Sequence, residues 1–120
     1  MATVMLATRN DDMRGYLAAK LKRSGHAVSR VADYHSALTL LEENAYDVLL
    51  TTVEADSSDE LDLARAARRI DPDMRVMFIT GFSAVALMPP AEEGARGMTL
   101  GEPVHLNRLG EELRRLVRAA

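Results

Sequence analysis

The sequence contains no cysteine and no tryptophan, and aromatic side chains are only 4% of its 120 residues. The first absence excludes disulfides, thiolate metal sites and cysteine nucleophiles together. The scarcity of aromatics means that any core is aliphatic, assembled from Leu, Val, Ala and Met. No apolar run approaches the roughly 20 residues of a membrane span, and the first ten residues lack the apolar stretch of a secretory leader. Excess basic charge is missing as well. The net charge of −3 disfavours general affinity for nucleic acid or anionic lipid. What remains is an ordinary globular mixture, 48% hydrophobic and 28% charged, at a length that suits one domain over residues 1–120. These features predict a soluble cytoplasmic protein.

Short β-rich runs alternate with helical patterns. Thr3 to Thr8 is a nearly continuous apolar run, as in a strand covered on both faces. Asn10, Asp11 and Asp12 can cap the helix that follows, where Met13, Tyr16, Leu17 and Leu21 recur at helical spacing until Ser24-Gly25 stops it. Ala27 to Val31 alternates like an edge strand. Asp33 is placed to cap a helix from about His35 to Glu43 that buries Ala37, Leu38 and Leu41. Asp47 to Thr52 is the third strand. Ser57-Ser58-Asp59-Glu60 has the form of a capping box and opens a helix that Asp71-Pro72 ends. Arg75 to Thr80 is a fourth strand, closed by Gly81. Ser83 to Leu87 has room only for a short helix before Pro89-Pro90. Residues 91–97 read as loop, 97–100 as a weak fifth strand, and Leu106, Leu109, Leu113, Leu116 and Val117 as one stripe of a last helix.

Five such β-α repeats predict an α/β domain with one parallel sheet and helices on both faces. In open sheets of this kind the functional crevice lies beyond the carboxyl ends of the strands. The segments there are Thr8-Arg9-Asn10, Thr52-Val53-Glu54, Thr80-Gly81 and Glu102-Pro103.

Those segments resemble the receiver domain of bacterial response regulators. The resemblance is carried by Ala18 to Gly25, Tyr46 to Thr51, Asp59 to Ala67, Met77 to Phe82, and Glu102-Pro103. Within the family, Phe78 to Leu87, Pro103-Val104-His105-Leu106 and the two alanines ending the chain are similar to the CpdR type of stand-alone receiver, with Val104 a departure. The resemblance implies a doubly wound, flavodoxin-like fold: a five-stranded parallel sheet in the order 2-1-3-4-5, with a shortened fourth helix. It also implies a two-component signalling context.

A working receiver has an acidic pair after strand one, an aspartate ending strand three, a Ser/Thr ending strand four and a Lys-Pro after strand five. The acids hold Mg²⁺ through oxygen ligands, the central carboxylate attacks phosphorus, and the lysine and hydroxyl stabilise the charge. By the resemblance, the metal-acid positions here are Arg9 and Asn10, the phosphoacceptor position is Thr52, and the lysine position is Glu102. Only the switch hydroxyl, Thr80, and Pro103 keep the pattern. The sequence therefore predicts an atypical pseudo-receiver with no aspartyl-phosphate chemistry, no metal and no cofactor. Arg9 and Glu102 reverse the family's charges, so they are expected to meet, directly or through Thr52, and to contribute about 1 kcal/mol. The competing reading has both side chains in solvent.

Other groups carry weaker signals. His26, His35 and His105 share no metal-ligand spacing, which favours surface or capping roles. Glu54 is expected to be a solvated loop acid, and Arg65, Arg68, Arg69 and Arg75 a solvated helix face rather than a nucleic-acid surface. Thr99 stands where receivers usually carry an aromatic switch residue. His105, Leu106 and Leu109 are candidates for an interaction surface, with the fourth helix, the last helix and the first helix around them. Receivers of the CpdR type are linked to adaptor function in regulated proteolysis, and an end like Ala119-Ala120 to recognition by the ClpX unfoldase. The preferred expectation is a phosphorylation-independent, non-enzymatic module that binds a protein partner as a monomer or weak homodimer, without nucleic acid or membrane. The alternative is a phosphorylatable or small-ligand-sensing regulator with a modified pocket around Thr52.

Overall fold

The computed structural model describes residues 2–53, 59–88 and 99–118. In chain order the elements are β1 (Thr3–Ala7), α1 (Asp11–Arg23), β2 (Ala27–Val31), α2 (Tyr34–Glu43), β3 (Val48–Thr52), α3 (Asp59–Ile70), β4 (Arg75–Thr80), β5 (Ser83–Met88), β6 (Thr99–Leu100), β7 (Val104–His105), a 3-10 turn (Leu106–Arg108) and α4 (Leu109–Arg118). The sheet order is β2-β1-β3-β4-β5-β6, with β7 also seated on β5.

Local signals set most boundaries. The Asn10 side chain accepts the Met13 N–H at 2.9 Å, and Asp33 accepts the Ser36 N–H at 2.8 Å, so each satisfies a free donor at a helix start. Gly25, at φ 90°, ends α1 in a conformation that a Cβ disfavours. Lys20, Lys22 and Arg23 occupy its last turn, where the helix dipole favours cations.

Alternation along the strands sorts the core into two layers. Val4, Leu6, Val48, Leu50, Met77 and Ile79 face Leu17, Ala18 and Leu21 of α1 and Leu109 and Leu113 of α4. Met5, Ala7, Leu49, Val76 and Phe78 face Ala37 and Leu41 of α2 and Leu63, Ala64 and Ala67 of α3. Leu38, expected in this layer, is only half-buried, and Leu40 packs there instead. This is the doubly wound receiver architecture. β2, β1, β3 and β4 run parallel as expected.

The fourth helix is corrected. Ser83–Met88 is a strand, antiparallel to β4, with Thr80 opposite Ser83 and Val76 opposite Leu87. Gly81, at φ 61°, is the first residue of a two-residue loop, and such hairpin loops require a positive φ there. Once β4 offers an open edge, pairing outweighs the helical propensity of the alanines: Ala84 and Ala86 join one core layer and Leu87 the other. The expected fifth strand is reduced to β6 and lies outside β5, with Gly101 N–H bonded to Ala86 O at 2.8 Å. Chain 101–103 bulges between β6 and β7, and all three segments lie along the outer edge of β5.

Candidate functional site

β1 delivers Thr8, Arg9 and Asn10 to the carboxyl end of the sheet, and its neighbour β3 delivers Thr52. Thr8 is buried and organises the site. Its N–H bonds Val31 O at 3.1 Å, its carbonyl accepts Arg14 Nη1–H at 2.7 Å, and its Oγ1 accepts the Asn10 N–H at 3.2 Å. Thr52 Oγ1 donates to the same Thr8 oxygen at 2.8 Å. Asn10 is committed to capping α1. Arg9 reaches across to α3, where Nη2 pairs with Asp59 Oδ2 at 2.7 Å, both side chains about half exposed.

Beside Thr52 a small cleft, with a cavity volume of about 30 Å³, opens between the end of β1, the turn after β2 and the first turn of α3. Ala7, Ala32 and Leu63 form its apolar wall, and Thr8, Arg9, Asp33, Tyr34, Thr51, Thr52, Asp59 and Glu60 its polar one. Glu60 is nine-tenths buried, and its Oε2 has no hydrogen-bond partner among the described residues. Ser57, its expected capping-box partner, lies outside the described residues, as do Glu54, residues 91–97 and Ala119-Ala120. The hydrogen bonds from Ser36, the backbone N–H first, hold the Asp33 carboxyl below its ordinary value.

No protein-family model matches the chain. It is 38% identical over 120 residues, all of both chains, to the response regulator receiver protein CpdR of Brucella abortus (strain 2308). The chain belongs to the response-regulator receiver family, in its CpdR-like branch. Solved structures agree. The receiver domain of the hybrid histidine kinase CckA superposes with a TM-score of 0.69 at 27% identity, over 96% of this chain and 98% of that one. A receiver domain protein from Clostridium thermocellum, at 17% identity, shows the same fold with a TM-score of 0.72 over 99% and 96% of the two chains.

The magnesium that receivers use does not fit this receiver's donor set. After β1, Arg9 is a cation and Asn10 a neutral cap, and at the end of β3 Thr52 is a neutral hydroxyl already bonded to Thr8. Among the described residues, no three His, Cys, Asp or Glu side chains come together as a metal site.

The Arg9–Glu102 pairing is corrected as well. Arg9 is bound to Asp59, and Glu102 is exposed with no ion pair among the described residues. The inserted β5 supplies the reason. Glu102 lies beyond β5, so four strand spacings of about 4.8 Å, roughly 19 Å, separate its row from that of Arg9. Pro103 sits in the same exposed bulge, and Thr80 is exposed at the hairpin, outside the cleft.

Burial reassigns three further residues. Leu106 and Leu109 are 2% and 0% exposed and belong to the core, so they offer no contact surface. His105 is exposed, and its Nδ1 accepts the Asn107 N–H at 3.0 Å, a capping role. His26, expected at the surface, is buried at 4% exposure. Its Nδ1 accepts the Ala2 N–H at 3.0 Å, so its Nε2 carries the proton that bonds Gly110 O at 2.9 Å. Those partners are 24 and 84 residues away, and no local pattern signals them. On the far side of α3, Arg68 donates to Leu87 O at 2.8 Å, and burial, then the Arg75 charge, lowers its pKa.

Proposed function

We propose that this receiver works without phosphorylation, as a non-enzymatic binding module in bacterial signalling whose output is a contact with a protein partner in the cytoplasm. One observation carries the reading: the phosphoacceptor position is a threonine whose hydroxyl is bonded to Thr8, beside an arginine bound to Asp59. A neutral hydroxyl without an adjacent base is a weak nucleophile. The Arg9–Asp59 pair ties the end of β1 to the first turn of α3 with the protein's own cation. Membership in the CpdR-like branch supports the finer reading, an adaptor in regulated proteolysis. Its contact surface comprises the exposed faces of α1 and α4 with His105, and it acts as a monomer or weak homodimer.

The test is a titration with Mg²⁺ and beryllofluoride, followed by amide chemical shifts. No saturable change at Thr52 and Thr80 is expected; a tight, saturable response at both would overturn the reading. Affinity capture with the wild type and with Arg9→Ala/Thr52→Val then identifies the partner and reports whether the rebuilt pocket controls its binding. A second reading, a ligand-sensing regulator, draws on the cleft beside Thr52.

A further inference from the structure

Acids outnumber cations in this chain, 18 to 15, yet residues 13–32 hold five cations and no acid. Arg14, Lys20, Lys22 and Arg23 of that stretch lie on α1, which packs on the same side of the sheet as α4. The two helices meet at the end of α1. Lys20 Nζ donates to Asn107 Oδ1 at 3.4 Å, and Arg114 Nε and Nη2 both donate to the Ser24 carbonyl, at 3.1 and 2.6 Å. These bonds fix where the two cations stand and leave their other N–H donors unused among the described residues. Arg23 is exposed and follows Lys20 by three, a spacing at which helical side chains are neighbours. Lys20 Nζ also lies 5.8 Å from the centre of the Tyr16 ring, and Tyr16 is 47% exposed.

Tyr16, Lys20, Arg23 and Arg114 thus set an apolar ring beside three cations. Glu111, exposed and three residues before Arg114, brings one negative charge to α4, and residues 117–120 add Arg118 and no acid. The cations do not converge on a pocket. Tyr16 to Arg23 alone covers seven helical steps of about 1.5 Å, roughly 10 Å, which suits a chain segment rather than a small anion. Nucleic acid is disfavoured, because a single tyrosine is no series of stacking rings and the chain as a whole is acidic. Complementary charge sets encounter and register between proteins more than raw affinity. We propose that this α1–α4 face docks an acidic segment of a protein partner, with carboxylates on Lys20, Arg23 and Arg114 and an apolar side chain against Tyr16. The proposal rests on the reading of α1 and α4 as the contact surface and adds the charge of what they contact.

The probe is a fluorescein-labelled peptide of glutamate and leucine, compared with a lysine–leucine peptide of equal length, a DNA duplex and phosphatidylserine vesicles. The acidic peptide is expected to bind saturably, less tightly as salt rises, and to shift the amides of Tyr16, Lys20, Arg23 and Arg114. Lys20→Glu and Arg23→Glu should each weaken it about fivefold. Lys22→Glu makes the same charge reversal on another side of α1 and should change binding less than about twofold. Arg23 and Lys22 are both exposed, so that comparison stands even if Lys20→Glu folds poorly. Equal binding of the lysine–leucine peptide, tighter binding of DNA or vesicles, shifts confined to other elements, or an equal loss in Lys22→Glu would each overturn the proposal. A beryllofluoride response beside intact docking would overturn the phosphorylation-independent reading alone. Absent docking with no beryllofluoride response would overturn this proposal alone.

Discussion

Thr52 donates its hydroxyl proton to Thr8 Oγ1 at 2.8 Å, which joins the ends of two neighbouring parallel strands where the family keeps its phosphoacceptor and metal acids. Thr8 Oγ1 also accepts from the Asn10 N–H, so the pair is part of the turn that starts α1. The two ends of the bond therefore differ in what depends on them. Thr52→Val removes one hydrogen bond and should cost about 0.5–1.5 kcal/mol. Thr8→Val also strands the Asn10 N–H and should cost more, about 1–3 kcal/mol. Urea denaturation of both variants and of the double variant checks the order and the coupling; equal losses would show that the Asn10 bond contributes nothing.

Arg9 and Asp59 are half exposed, so their pair is a positioning contact with little weight in stability. A double-mutant cycle with Arg9→Ala and Asp59→Ala should give a coupling of about 0.2–1 kcal/mol that shrinks as salt rises. A coupling of several kcal/mol, unchanged by salt, would contradict the exposure seen here.

α4 lies close against the end of α1. A Cβ at Gly110 would stand 2.1 Å from Ser24 Oγ, and Arg114 Nη2 donates to the Ser24 carbonyl at 2.6 Å. Gly110→Ala should therefore destabilise by about 1–3 kcal/mol, through overpacking. The same substitution in a Ser24→Gly background should cost less, because the obstructing hydroxyl is gone. Thermal melts of the four proteins test this directly.

Asp33 titrates below its ordinary value of 3.8 because Ser36 donates to its ionised form. A carboxyl whose folded pKa is depressed adds stability above its unfolded pKa and loses it as pH falls through the folded value. Asp33→Asn still caps α2 but does not titrate. The wild type should thus lose stability relative to Asp33→Asn as pH drops below about 3.8, with the gap constant above about pH 5. Paired melts over that range are the measurement, and a gap that does not change with pH would count against the Ser36 bonds.

Much of this was legible beforehand because it rests on local physics. Asn10 and Asp33 announce helix starts by side-chain chemistry, Gly25 and Asp71-Pro72 announce stops, and the apolar runs ending at Thr8 and Thr52 announce buried strands. Ser83 to Leu87 was not legible in the same way: its alanines suit a helix or a strand, and only the open edge of β4 with the Gly81 turn selects the strand. The partners of Arg9 and His26 lie 50, 24 and 84 residues away in sequence, at separations where no periodicity operates.

The sequence by itself determined that this is an α/β receiver, through hydrophobic period, caps and motif spacing. It also determined that the third strand ends on Thr52, a neutral hydroxyl rather than an acid, since residue identity is local. Tertiary structure decided what those residues touch. The antiparallel β5 moves Glu102 out beyond the reach of Arg9, which leaves Arg9 to Asp59 and Thr52 to Thr8. The physical reason is one of reach. A side chain bonds what its own strand end brings within a few ångströms, and the order of strands across a sheet is set by the packing of the whole chain.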